Sequence, residues 1–378
     1  MVTRARLTTI FVGALCAVST TVGTAHRAPM PFQAQAAAPA SAQALAAAQT
    51  LPATLSNAEF WALSQSLSEG DGTFQSDNLV SNEIFYQTII PELMTTVRAD
   101  RVYLGVGPEQ NFTYIAALKP RMVFILDVRR GNLHMHLLYK ALFELSRDRV
   151  EFVSLLFSKP RPSGVSARTS ARELFQSLVP IETREEAYKA NLAAITQHLT
   201  KTRELPLSAE DLKGIEYIYY NFYWFGPSLT YASSAGNGAR NFVNYQSLMV
   251  ADDGVGVERS FLANEANFQV LKALHQKNLL VPVVGNFAGP RAIRAVGRYL
   301  KERGALVSAF YLSNVEQYLQ RDGLWPAFCG NVAQLPLDDS STFIYSQSGG
   351  GGGRGGGGGL LSWYRPMLAD VKASQCGG

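Results

Sequence analysis

Cysteine is scarce: the chain of 378 residues carries Cys16, Cys329 and Cys376 and no others. None forms a CxxC pair or a zinc-finger spacing, which excludes a thioredoxin-like redox site and a Cys-based structural zinc. Charge of one sign is also lacking. Thirty-four Lys and Arg against 30 Asp and Glu give a formal charge of +4. No basic block stands out, so nucleic-acid binding has no electrostatic footprint here. P-loop and serine-elbow motifs are absent too, which leaves phosphate-cradling NTPases and α/β-hydrolases without support.

What is present begins with an export-type leader. Arg4 and Arg6 precede an apolar run from Leu7 to Val22, and Gly23-Thr24-Ala25 offers small residues for cleavage. Residues 1–25 therefore read as a signal peptide, directing the chain to the periplasm or outside the cell; the other reading is an uncleaved membrane anchor. Removing them takes away two arginines and no acid, which lowers the formal charge from +4 to +2. Cys329 and Cys376 would then meet oxidising conditions, as a bonded pair or as separate thiols. Residues 26–54 are rich in Ala, Pro and Gln and read as a tether.

Order is expected from residue 55. Ser56 and Glu59 form a capping-box pattern, flanked by Leu55 and Phe60 as a hydrophobic staple. The polar stretch Ser68–Glu83 precedes a helix expected over Ile84–Val97. It reads as turn chemistry or as a lid, with Ser76, Asp77, Asn78 and Asn82 as the candidate lid residues.

The central stretch is Arg101–Lys140. The apolar run Val102–Val106, a turn with Gly105 and Gly107, a helical segment stopped by Pro120 and a second apolar run ending on Asp127 make strand, turn, helix, strand, acid. Gly107 and Asp127 stand twenty positions apart. That layout suits a nucleotide-binding half-domain, with the turn and helix N-terminus approaching the ligand and the acid reaching a ribose. Asp127 has an alternative, a salt bridge with Arg129 or Arg130. His134 and His136, two apart on a helix, face different ways, so no metal site is expected.

Further strands are expected at Val150–Phe157, Leu279–Val284, Ala305–Leu312 and Thr342–Tyr345. Helices are expected at Gly131–Ser146, Glu265–Lys277, Arg291–Arg303, Val315–Leu319 and Leu360–Val371. Residues 169–278 interrupt the alternation with a helical segment, the aromatic run Ile215–Phe225 and a loop over Tyr231–Val257. The glycines at 349–353 and 355–359 mark a flexible segment. The pattern predicts an α/β fold: a Rossmann-like three-layer sandwich with a mostly parallel central sheet, spanning 55–346, with a helical and loop insertion at 169–278 and a Gly-rich tail at 347–378. Asn286, after the fourth apolar strand, is either a turn residue or a ligand contact.

At YLGVGPEQNF and ILDVRR the sequence resembles the class I S-adenosylmethionine-dependent methyltransferases. Through GVGPEQNFTYIAALKPR, FILDVRRGN and VVGNFAGPRAIRAVGRYLKERGALVSAFYLSNVEQYL it resembles more closely a group of uncharacterised bacterial proteins with that fold. Tyr103 stands where that pattern has an acid, and Glu109 where it has a third glycine. The resemblance implies S-adenosylmethionine as cofactor, Gly105 and Gly107 at its methionine end and Asp127 at its ribose. Glu109, Asn111, Arg129 and Asn286 complete the candidate cofactor set; no catalytic residue is assigned. The alternatives are a non-catalytic scaffold that keeps the fold and an NAD(P)-dependent oxidoreductase. A small-molecule ligand is the expected partner, with membrane contact only through an uncleaved leader. N-terminal sequencing of the protein from an exporting host is expected to begin near His26; a start at Met1 would establish the anchor.

Overall fold

A computed structural model of the protein describes residues 50–231, 233, 243–348 and 360–372. The leader, the tether to position 49, the glycine tract and Cys376 lie outside them. Seven described strands form one sheet: β1 (Glu83–Ile84), β2 (Val102–Val106), β3 (Met122–Asp127), β4 (Leu280–Val284), β5 (Val307–Ser313), β6 (Thr342–Ser348) and β7 (Leu360–Pro366). Their order is β1-β7-β6-β5-β2-β3-β4. Neighbours from β4 through β6 run parallel, β7 is antiparallel to β6, and β1 follows β7. The fold is thus mixed α/β with a mostly parallel sheet.

Every residue of β2, β3 and β4 is buried. Helices cover the sheet, and a strand shielded on both faces reads as an unbroken apolar run, which is why these three were visible in the sequence. Pro282 sits in β4, the last strand in the order, where a missing N–H disturbs no ladder. The helix Asn57–Leu67 ends against that strand. Ser64 donates to the Pro282 carbonyl at 2.6 Å, Ser68 accepts from Val284 N at 3.0 Å, and Glu69 N donates to the Val284 carbonyl at 2.7 Å. The Ser56–Glu59 capping box starts this helix as expected.

Four expectations need correction. Val150–Phe157 is the helix Arg149–Leu156, started by Asp148, whose carboxylate accepts from Glu151 N at 2.8 Å. A short apolar run fits strand or buried helix alike, and the cap decides. Leu360–Val371 is strand β7 followed by a short helix, Met367–Lys372. Leu360 and Ser362 are buried while Leu361 and Trp363 are less so, a period of two that pairs with β6 from Ser348↔Leu360 to Thr342↔Pro366. The folded part therefore extends past 346, and Leu51 and Leu55 are already buried at its start. The helix expected from Ile84 begins at Ile90, after a left-handed Phe85 and a 3₁₀ turn, with Pro91 in its first turn. The loop expected over Tyr231–Val257 contains the helix Tyr245–Met249, capped by Asn244. Elsewhere in the insertion, helices span Ala171–Leu178, Glu185–Gln197 and Ala209–Phe225. Cys329 is buried and disulfide-bonded.

A buried charge cluster fastens the insertion to the body. Lys140, on the helix Arg130–Leu145, donates to Glu144 at 2.8 Å and to the His275 carbonyl at 2.6 Å. Glu144 also pairs with His198 at 2.6 Å and Arg203 at 2.8 Å, and Arg203 reaches Asn57 at 3.1 Å. Burial opposes the Glu144 charge, but the His198 hydrogen bond, the Lys140 charge and Arg203 together hold its pKa down to about 2. Burial pulls the Lys140 ammonium down to about 8. Such a cluster adds little net stability, yet breaking it strands a charge. Glu144→Gln is expected to cost about 3–5 kcal/mol near neutral pH. The carboxylate's folded pKa lies below its unfolded value, so its contribution is complete above about pH 4.5 and fades as pH falls toward 2. Urea unfolding should show the wild-type advantage over Glu144→Gln shrinking on acidification; an unchanged gap would refute this account.

Candidate functional site

From β2 the chain steps outward to β3 and β4, then returns to the other side of β2 as β5 and β6. The sheet order reverses between β2 and β5, and a crevice opens outside the C-terminal strand ends there. It encloses a cavity of about 200 Å³. Gly107 and Pro108 line it after β2, Asp127 and Arg129 after β3, Asn286 and Phe287 after β4, and Ser313 and Asn314 after β5.

The glycine turn is held from below. Asn111 donates to the carbonyls of Val106 and Pro108, each at 2.8 Å, and accepts from the Tyr103 hydroxyl at 3.0 Å. A Cβ on Gly105 would lie 1.9 Å from the Asn111 oxygen, so this position admits only glycine. Gly107 has φ +76° with open space where a side chain would stand, which leaves its backbone free to meet a ligand. Below it, His136 donates from Nε2 to the Gly107 carbonyl at 2.9 Å. Burial brings the pKa of His136 down to about 4, so the ring is neutral and Nδ1 is left without a partner. Glu109 is fully buried rather than facing the crevice. Burial, and secondarily the Glu83 charge, raises its pKa to about 7.

Asp127 is engaged. Its Oδ1 accepts from Arg129 N and Nε, both at 2.9 Å, and its Oδ2 accepts from Arg129 Nη2 at 2.7 Å. Of the two arginines weighed as partners, Arg129 is the one that pairs. Its Nη1 donates to the carbonyls of Ser76, at 2.7 Å, and Asp77. Arg130 instead holds Asp211 at 2.7 Å, beside His134, also at 2.7 Å. Against burial, those two hydrogen bonds keep the Asp211 carboxyl well below its usual range. The two histidines thus serve separate partners, and among the described residues no three His, Cys, Asp or Glu side chains are grouped to hold a metal.

The stretch 74–82 lies over this edge. Phe74 and Asn78 line the crevice, and Asn82 lines a side compartment of about 70 Å³. Ser76 and Asp77 contribute carbonyls to Arg129, and the Asp77 carboxylate accepts from the Tyr217 hydroxyl at 2.7 Å. Asn286 lines the crevice, while its side chain makes a turn by accepting from Ala288 N at 2.9 Å. Glu69 organises that loop: it accepts from Arg291 N and Ala292 N at 2.8 Å and from Asn286 N at 3.1 Å, at the start of the helix Ala292–Glu302.

Residues 79–212 and 228–351 match a family model described as a domain of unknown function, DUF7790. The chain belongs to that family. No curated protein matches it. The DUF7790 match takes in the glycine turn, Asp127, Asn286 and the end of β5, whereas Glu69, Phe74 and Asn78 precede it. None of the chain's described helices is long and apolar enough to cross a membrane.

Sequence reasoning passed over Glu69, Phe74, Glu83 and Ser313. Glu83 stood in the polar stretch without a distinguishing neighbour, and Ser313 merely ended an apolar run. Ser313 adopts φ +50°, unusual for serine. Asn111→Ala would remove the side-chain donor from the Val106 and Pro108 carbonyls, leaving Pro108 only the longer bond from the residue 111 backbone N, at about 1–3 kcal/mol. Chemical denaturation should register that loss; a variant as stable as wild type would show that the turn holds its shape unaided.

Proposed function

We propose that this is an exported, Rossmann-like three-layer α/β domain whose crevice binds an adenosine-type ligand, S-adenosylmethionine first, and that methyl transfer is the chemistry it supports. The observation that carries this is the placement of a glycine turn and an acid on adjacent strand ends at the reversal of the sheet. The residues suit the group. Gly107 leaves room for close approach, the helix Gln110–Leu118 starts beside it, and Asp127 stands one strand over. When bound, the cofactor would supply an electrophilic methyl group; the chain would supply the turn for its amino-acid end and a carboxylate for its ribose.

One adjustment is required. A cavity of about 200 Å³ is smaller than the roughly 300–1,000 Å³ of most ligand pockets. The Asp127 carboxylate also accepts three hydrogen bonds from Arg129, which leaves it about one further acceptor position. Ligand entry therefore displaces Arg129 and the loop it holds. A second reading, a binding scaffold without catalysis, draws on the same pairing, since a closed acid suits a site that has given up its cofactor.

Thermal unfolding of the mature protein separates them. S-adenosylmethionine and its demethylated product are each expected to raise the midpoint, by an amount equivalent to about 2.7 kcal/mol at a hundred times the dissociation constant. Asp127→Asn should abolish the rise, and Arg129→Ala should strengthen binding by freeing the acid. No shift with either compound would sink the cofactor reading and leave the scaffold.

A further inference from the structure

Beside the crevice lies the side compartment of about 70 Å³, which shares Asn78, Pro108 and Ser313 with it and adds Ser81, Asn82 and Tyr311. Behind its wall is Glu83, with no exposed surface. The Glu83 carboxylate accepts from Gln110 Nε2, the Tyr311 hydroxyl and the Ser313 hydroxyl, each at 2.6 Å, and from the Ser362 hydroxyl at 3.0 Å. All four donors are neutral, and among the described residues Glu83 is in no ion pair. Arg129, the cation in the crevice, is already neutralised by Asp127.

Two consequences meet in the compartment. A carboxylate met only by neutral donors has no counter-charge laid against it, and in a poorly screened interior the field of such a group falls on the nearest cavity. The Tyr311 and Ser313 protons are also committed to Glu83, so their oxygens turn lone pairs toward the space they line. The Asn78 side-chain oxygen, in the same wall, is buried without a partner. The volume holds a group of about two waters' size.

We propose that this compartment is a subsite for a small organic cation, either a protonated amine or the positively charged sulfur of an S-adenosylmethionine-type cofactor, with Glu83 as the countercharge. In its second form it rests on the crevice reading above. Glu83 acts through Tyr311 and Ser313 and is a positioning residue.

Calorimetric titration of the mature protein with S-adenosylmethionine and with its neutral thioether product compares the same nucleoside with and without the charge. The charged compound is expected to bind about tenfold more tightly. In Glu83→Gln the ratio should fall to about one with the thioether's affinity unchanged, while Ser362→Ala, which removes a donor outside the compartment wall, should keep it. Ethylammonium chloride, scored by thermal shift against matched potassium chloride, tests the subsite without a nucleotide and without a variant. Equal binding of the two nucleosides overturns the cation subsite and leaves the crevice reading standing. Stabilisation by ethylammonium with no nucleotide binding supports the subsite and removes the cofactor. A folded Glu83→Gln that keeps the tenfold ratio overturns the role of Glu83, and no response to any of the three compounds overturns the proposal outright.

Discussion

Burial of three adjacent parallel strands on both faces is the constraint from which the rest follows. Because every residue of β2, β3 and β4 is buried, polar groups are admitted only where a partner satisfies them, as for the Tyr103 hydroxyl, or where a strand stops. Gly107, Asp127 and Asn286 stand at such stops, on the edge where the order of the sheet reverses. The same condition explains why Asn111 is buried: with the turn enclosed, its carbonyls need donors, and one amide supplies two of them.

Two carboxylates on this edge are handled in opposite ways. Asp127 has a guanidinium laid along it, so the pair contributes almost no net field. Glu83, on β1 three strand positions beyond β5, is surrounded by hydroxyls and an amide, with no cation paired to it among the described residues. One acid on this edge is thus paired with a guanidinium and the other, which no local pattern marked, only with neutral donors.

The legible parts of the molecule are those in which cause and effect are close in the chain. The runs at β2, β3, β4 and β5 announce themselves because shielding removes any charged interruption. Turn and acid were found because twenty residues contain both. By contrast β7 is half exposed and follows the glycine tract, so its alternation was too brief to outweigh a helical reading. The segment Arg149–Leu156 carried an apolar run that suits either structure, and the deciding Asp148 lay just outside it. Glu83 meets Tyr311 and Ser313 across 228 and 230 residues, and nothing local records such a partnership.

The far margin of the sheet carries a consequence of another kind. At β4, Pro282 offers no amide, and Ser64, Ser68 and Glu69 already occupy neighbouring backbone groups. At the opposite margin β1 is only two residues long. Among the described residues, the two margins therefore differ: β4 is closed by backbone contacts and lacks an amide at Pro282, while β1 covers only Leu360 and Leu361 of β7.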